Sequence, residues 1–146
     1  MRALIQRVSR ACVRLPRPGG AGEAETIARI GPGLVVLLGV APTDGERSAD
    51  RLAEKIRALR VFADANGQMN DAIGEREILC VSQFTLFADT SRGNRPGFGG
   101  AAAPELARPL YERVCERLGA ARGRFGAHME IELTADGPVT ILLEVT

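Results

Sequence analysis

Tryptophan is absent, and histidine and tyrosine occur once each, as His128 and Tyr111. With one imidazole the chain lacks the histidine clusters that hold a catalytic metal, so a metal-free, cofactor-free protein is expected. Cys12, Cys80 and Cys115 are odd in number, widely spaced and form no CxxC pair, which suggests neither a disulfide framework nor a zinc knuckle. They read as buried thiols. Long apolar runs are also missing. Nothing approaches the ~20 residues of a membrane-spanning helix, and Met1 to Val13 is interrupted by Arg2, Gln6, Arg7 and Arg10 rather than forming a signal-peptide core. A cytoplasmic protein without a membrane partner is expected. Excess charge is lacking too: the net charge of +1 argues against gripping long nucleic acid through a basic face, and DNA is not an expected partner. Local contacts remain open, since all but Lys55 of the 19 basic residues are arginine.

What is present suffices for one domain over residues 1–146, with 45% hydrophobic residues to fill a single core. Apolar and polar residues roughly alternate from Ala3 to Leu15, predicting a strand bent or bulged near Arg7. The stretch Pro16 to Gly22 breaks it. Glu25 to Ile30 then reads as a returning strand and Leu34 to Val40 as a strand buried on both faces, together a meander. Ala49, Leu52, Ala53, Ile56 and Leu59 recur at helical spacing, with Thr43 or Asp44 available as N-cap. The segment 64–70 carries an Asn-Gly turn, and Ile78 to Val81 is a short apolar strand. A second helix is predicted over Pro104 to Leu118, kinked at Pro109 or starting near it. Met129, Ile131 and Leu133 alternate before Asp136-Gly137-Pro138, and Val139 to Val145 follows, which reads as a C-terminal hairpin or strand pair. Strands with two amphipathic helices indicate an α+β domain, a sheet or barrel covered by helices on one side.

Two segments place small, polar or conformationally special residues where strands end. In Ser82-Gln83-Phe84-Thr85, successive backbone N–H groups leaving a strand could form an oxyanion hole for an ester carbonyl. Composition alone favours an ordinary strand edge there. In Gly137-Pro138-Val139-Thr140 the plain reading is a tight turn, and the sharper one is a cis peptide whose two carbonyl oxygens form a rigid wall. A serine nucleophile at Ser82 lacks a GxSxG elbow and has only His128 as a base; a Cys80–His128 thiol hydrolase is opposed by the apolar run around Cys80. Arg92 and Arg95, or Arg122 and Arg124, are candidate phosphate contacts, although solvated arginines are the default.

Taken together, the segments MRALIQRVS, IGPGLVVLLGV, LAEKIRALRVF with GQMN, VSQFTLFADTSRGNRPGF, PELARPLYERV and GRFGAHMEIELTADGPVT closely resemble the D-aminoacyl-tRNA deacylase family, over nearly the whole chain. The resemblance implies that family's fold: antiparallel-rich strands in a sheet or barrel, two covering helices, and a homodimer. It implies hydrolysis of the ester joining a D-amino acid, or misplaced glycine, to the terminal adenosine of tRNA. Ser82, Gln83, Phe84 and Thr85 would line the active site, with the N–H groups of Phe84 and Thr85 near the scissile carbonyl. Gly137 and Pro138, with Val139 and Thr140 of the same motif, would reach in from the partner subunit and exclude L-amino acids. Arg7 would hold that motif, Phe125 would stack on the terminal adenine, and Met129 would line the pocket. The ribose 2′-hydroxyl would assist the reaction.

Three departures from the family pattern stand out: a longer, proline- and glycine-rich Pro16 to Ala24 region, His128 where an acidic residue is common, and Ala135 where asparagine commonly precedes Asp-Gly-Pro. Two other readings are an editing module for L-aminoacyl esters, as in archaeal threonyl-tRNA synthetases, and a non-catalytic RNA-binding or dimerisation module. The free-standing chain and the Gly-Pro motif disfavour the first; tight tRNA binding without turnover would favour the second.

Overall fold

A computed structural model describes residues 1–17, 19 and 22–146; Pro18, Gly20 and Ala21, in the expected Pro16 to Gly22 break, lie outside the described residues. The elements are β1 (Arg2–Leu15), β2 (Glu25–Ile30), β3 (Gly33–Gly39), α1 (Glu46–Ala58), β4 (Phe62–Ala63), β5 (Met69–Asp71), β6 (Glu77–Ser82), α2 (Pro104–Leu118), β7 (Ala121–Arg122) and β8 (Glu130–Glu144). A short 3-10 turn occupies Phe84–Phe87. The main sheet runs β2-β1-β3-β6-β7, with β8 on the opposite edge of β1. It is mixed: β3, β6 and β7 are parallel and the rest antiparallel. The sheet curls until β2 lies against β6 and β7, forming a nearly closed barrel with two helices.

The parallel pairs explain where the helices sit. A parallel connection needs a long crossover, and α1 supplies it between β3 and β6, α2 between β6 and β7. Both helices cover the same face. Strand alternation then divides the core: Leu34, Val36, Leu38, Ile78 and Cys80 pack beneath the helices, whereas Val35, Leu79 and Val81 point into the barrel. In β1, Ala3 and Ile5 face the helices, but Val8, Ala11 and Val13 all face the barrel. The change of parity falls at the register shift between Val8 and Arg10, where an extra residue turns the strand over.

The helices are clasped by charge as well as packing. Arg113 meets Asp50 through Nε at 2.7 Å and Nη2 at 3.0 Å, and Arg117 Nε reaches the same carboxylate at 2.8 Å. The Arg113 hydrogen bond, with the charges of Arg113 and Arg117, holds the Asp50 carboxyl below its ordinary range. Arg57 donates to the carbonyls of Arg117 and Leu118, satisfying the end of α2.

Four expectations are corrected. The first three strands are no meander: β2 pairs with the outer part of β1 and β3 with its first half, because a 14-residue strand offers room for both on one edge. The N-cap of α1 is Gly45, not Thr43 or Asp44; the Asp44 carboxylate is occupied by the Met1 amino group and the Ala41 N–H, and Ser48 Oγ accepts the Gly45 N–H. Helix α2 starts at Pro104 rather than near Pro109, and runs on through it. The hydrogen bond lost there is that to Glu105, and both residues are exposed, so water can satisfy the orphaned carbonyl. Finally, the C-terminal segment is no hairpin. β8 is one strand pairing β1 along its length, with Thr140 opposite Gln6 and Ala135 opposite Val8. Residues 136–139 therefore stand against Arg7 alone, as a wide bulge.

Candidate functional site

A cavity of about 570 Å³ opens where β6 ends. Its floor follows from the parallel pairing. Ser82 is the last residue of β6, opposite Leu38, and the Gln83 N–H extends the ladder to the Leu38 carbonyl at 2.7 Å. The chain then tightens into the 3-10 turn. Gly39 permits this: a Cβ there would stand 3.1 Å from the Gln83 carbonyl and 3.0 Å from the Phe87 ring. Arg2 secures the turn from below, donating to the Leu86 carbonyl at 2.9 Å and lying 4.7 Å from the Phe87 ring centre.

The start of such a turn leaves its first N–H groups without intrahelical acceptors. Leu86 donates to the Gln83 carbonyl and Ala88 to that of Thr85, whereas no backbone acceptor faces the N–H of Phe84 or Thr85 among the described residues. Two adjacent donors, that of Phe84 in the cavity lining and that of Thr85 beside it, can stabilise a developing oxyanion. The Thr85 hydroxyl accepts from Gln83 Nε2.

The walls come from distant parts of the chain. Ala101, Ala102, Pro104 and Ala107 bring the start of α2 to one side, tied down by the Ala102 N–H on the Val40 carbonyl at 2.8 Å. The connection from β7 to β8 forms the other side through Phe125, His128 and Met129. That connection is anchored on β6: the Gly123 N–H reaches the Cys80 carbonyl at 3.0 Å, and the buried Tyr111 hydroxyl donates to the same carbonyl at 2.9 Å. Met129 Sδ accepts the Arg124 N–H at 3.3 Å. The Phe125 ring centre lies 5.8 Å from that of Tyr111, with the rings tilted at 45°, and 5.2 Å from the Arg108 guanidinium.

Of the residues selected from sequence, Ser82, Gln83, Phe84, Phe125 and Met129 therefore line one cavity. Thr85 is exposed beside it. Gly137, Pro138, Val139, Thr140 and Arg7 are elsewhere. Ser82 faces Leu38, Leu38 faces Ala3, and the bulge lies across β1 at Arg7. Following the sheet, the two motifs are three strand spacings apart, roughly 14 Å, and displaced by four residues, roughly 13 Å. The bulge itself is well defined. The Gly137–Pro138 peptide is cis, and Gly137 has φ of 132°. Arg7 Nε donates to the Asp136 carbonyl at 3.1 Å and lies 3.3 Å from its carboxylate, while Nη1 donates to the Val61 carbonyl at 2.5 Å.

Sequence reasoning assigned no role to Phe98, which lines the cavity and meets Phe84 edge-on at 5.0 Å. An exposed aromatic following a glycine-rich loop was the available signal. His128, the single imidazole, is exposed and sits on the cavity rim. Cys80 is fully buried, and hydrogen bonding to Cys115 together with that burial pushes its thiol well above the ordinary range, against a role as nucleophile. Among the described residues, no three His, Cys, Asp or Glu side chains form a metal-ligand set. No helix among them is long and apolar enough to cross a membrane.

Residues 4–144 match the family described as D-Tyr-tRNA(Tyr) deacylase. A D-aminoacyl-tRNA deacylase of Symbiobacterium thermophilum is 54% identical, covering 99% of this chain and 95% of its own length. Its counterpart in Salmonella typhimurium is 49% identical, covering 99% and 100%. Among solved structures, a c-Myc DNA unwinding element binding protein superposes with a TM-score of 0.89 at 39% identity, covering 100% of this chain and 99% of that one. A probable eukaryotic D-amino acid tRNA deacylase superposes at 0.80 over 99% of this chain and 98% of its own, with 14% identity, a likeness of fold alone.

Proposed function

The chain belongs to the D-Tyr-tRNA(Tyr) deacylase family, and from that premise we propose that it is a D-aminoacyl-tRNA deacylase, a hydrolase of the ester between a D-amino acid and the 3′ end of tRNA. The observation that carries the reading is the pair of N–H groups of Phe84 and Thr85, which have no backbone acceptor among the described residues and stand in and beside a cavity walled by Phe125 and Met129. The terminal adenine stacks on Phe125 and the ester carbonyl points at the two donors. Backbone N–H groups fixed by the 3-10 turn need no reorganisation as negative charge develops on that oxygen. The ribose 2′-hydroxyl, adjacent to the ester, assists attack, and water completes the release of free amino acid and tRNA.

Chirality is judged by exclusion. The carbonyl oxygens of Gly137 and Pro138 bar an L side chain, whereas a D side chain points away and glycine has none. The separation of the two motifs within one chain supports a homodimer, in which the bulge of one subunit enters the cavity of the other. Val139 and Thr140 complete the bulge and Arg7 holds it in position. The protein acts as one domain over residues 1–146, in the cytoplasm, with no cofactor.

The test is hydrolysis of matched D-tyrosyl, L-tyrosyl and glycyl tRNAs by the purified protein, treated with chelator. Cleavage of the D and glycyl esters with the L ester spared supports the reading. Cleavage of none, with tRNA still bound, would make the protein an RNA-binding module; preference for an L ester would overturn the screen.

A further inference from the structure

The cavity accounts for an amino acid and an adenosine, but aminoacyl-tRNA also presents a chain of phosphates. The other two arginines of α2, Arg113 and Arg117, hold Asp50, Arg57 caps that helix, and Arg122 beyond its end lies 3.9 Å from Glu116. Arg108 differs. It is exposed, and no carboxylate lies within ion-pair distance of it among the described residues, although Glu105 and Glu112 share its helix. Its guanidinium is held 5.2 Å from the centre of the Phe125 ring, and Phe125 is a wall of the cavity. It also projects from a helix whose first turns, Pro104 and Ala107, form the neighbouring wall.

We propose that Arg108 binds the phosphate joining the terminal adenosine to the preceding nucleotide. The inference rests on the deacylase reading, because it takes the adenosine to lie against Phe125. A nucleoside seated there leaves by its 5′ oxygen, so its first phosphate emerges beside the ring that already steadies Arg108. Cation–π contact orients the guanidinium without neutralising it, and the planar fork keeps its donors for a pair of phosphate oxygens. This gives the enzyme a handle on polynucleotide that a free aminoacyl-adenosine lacks. It also fits the near-neutral net charge of the chain, since one placed arginine requires no basic face.

The experiment compares three esters of one D-amino acid, carried on tRNA, on the dinucleotide CpA and on adenosine alone, with wild-type protein, Arg108→Gln and Arg108→Lys. Loss of one exposed charge-assisted contact predicts a KM raised about five- to tenfold for Arg108→Gln on the two phosphate-bearing substrates, with kcat retained. On the adenosine ester KM should match wild type, and Arg108→Lys should recover part of the loss. An equal rise on all three esters would mean that Arg108 merely shapes the Phe125 wall and would overturn the proposal, as would no rise on any. Wild-type protein that cleaves none of the three would overturn the deacylase reading itself, a result distinct from wild-type cleavage with an unaffected variant.

Discussion

Replacing Arg7 by methionine should loosen the bulge at residues 136–139 while leaving the N–H groups of Phe84 and Thr85 in place. The Arg7 side chain is only 16% exposed and is the sole β1 residue opposite the four-residue bulge. Its contact with the Val61 carbonyl ties it to the segment after α1, and its contacts with Asp136 tie it to the bulge. A hydrogen bond to a charged group contributes about 1.5–3 kcal/mol. The ion pair to Asp136 adds only ~0–1 kcal/mol, because that carboxylate is 56% exposed. These terms share one guanidinium and do not simply add, so a global loss of roughly 2–4 kcal/mol is expected, measurable as a lower urea midpoint with an unchanged slope. The part acting on the bulge, about 1.5–3 kcal/mol, sets how often it leaves its native position, and that population should rise roughly 10- to 100-fold. If the bulge excludes L side chains, L-tyrosyl-tRNA hydrolysis rises with that population while D-tyrosyl-tRNA hydrolysis changes far less. The assay is the D-to-L rate ratio at a temperature where the variant remains folded by circular dichroism. A lower urea midpoint with an unchanged ratio would refute the link between Arg7, the bulge and chirality.

Gly137→Ala probes the same element from the other side: at φ of 132° an added Cβ would stand 2.8 Å from the Val139 nitrogen and 2.9 Å from its Cγ2, so the bulge must shift. A stability loss of about 1–3 kcal/mol and a reduced D-to-L ratio are expected, read by denaturation and deacylation assays. Thr85→Ala should keep most hydrolysis, because the Thr85 N–H survives the change; complete loss with the 3-10 turn intact, established by a crystal structure, would point to the hydroxyl as nucleophile. Asp50→Asn should lower Tm at neutral pH by breaking the clasp with Arg113 and Arg117. Since the Asp50 pKa is lowered in the folded protein, its stabilisation is present above the unfolded value and lost as pH falls through the folded one. The gap in Tm between variant and wild type should therefore begin to narrow below about pH 4 and close only below the lowered folded value.

Where local pattern and tertiary packing agree, the elements are legible residue by residue. Glu25–Ile30 and Pro104–Leu118 have the expected bounds, and the unbroken apolar run of β3 does become a strand covered on both sides. Failures arise where a distant partner overrides a local signal. Asp-Gly-Pro is sound turn chemistry, yet β1 is long enough to pair on both sides of it, so the strand continues and the turn residues are expelled as a bulge. Similarly, Asp44 is a good capping residue by type, but the Met1 amino group lies 2.7 Å from its carboxylate, and the cap falls to Gly45.

The candidate site shows the same division. The Ser82-Gln83-Phe84-Thr85 segment announces itself because a buried apolar strand gives way abruptly to polar residues. Nothing local indicates that the start of α2, 22 residues after Ser82, folds back to form a wall of the same cavity. That closure depends on Gly39 admitting the 3-10 turn and on the Val40 carbonyl capturing the Ala102 N–H. Arg7 is harder still to read. In β1 it occupies the helix-facing parity of Ala3 and Ile5, where an apolar residue would be expected, and its charge makes sense only because the bulge opposite leaves the Asp136 carbonyl without a ladder partner. A charged residue breaking the apolar pattern of a long strand is thus the mark of irregular backbone on the neighbouring strand. In this chain the two irregularities are one feature: an arginine that departs from the core pattern in β1, supporting a glycine that departs from the strand in β8.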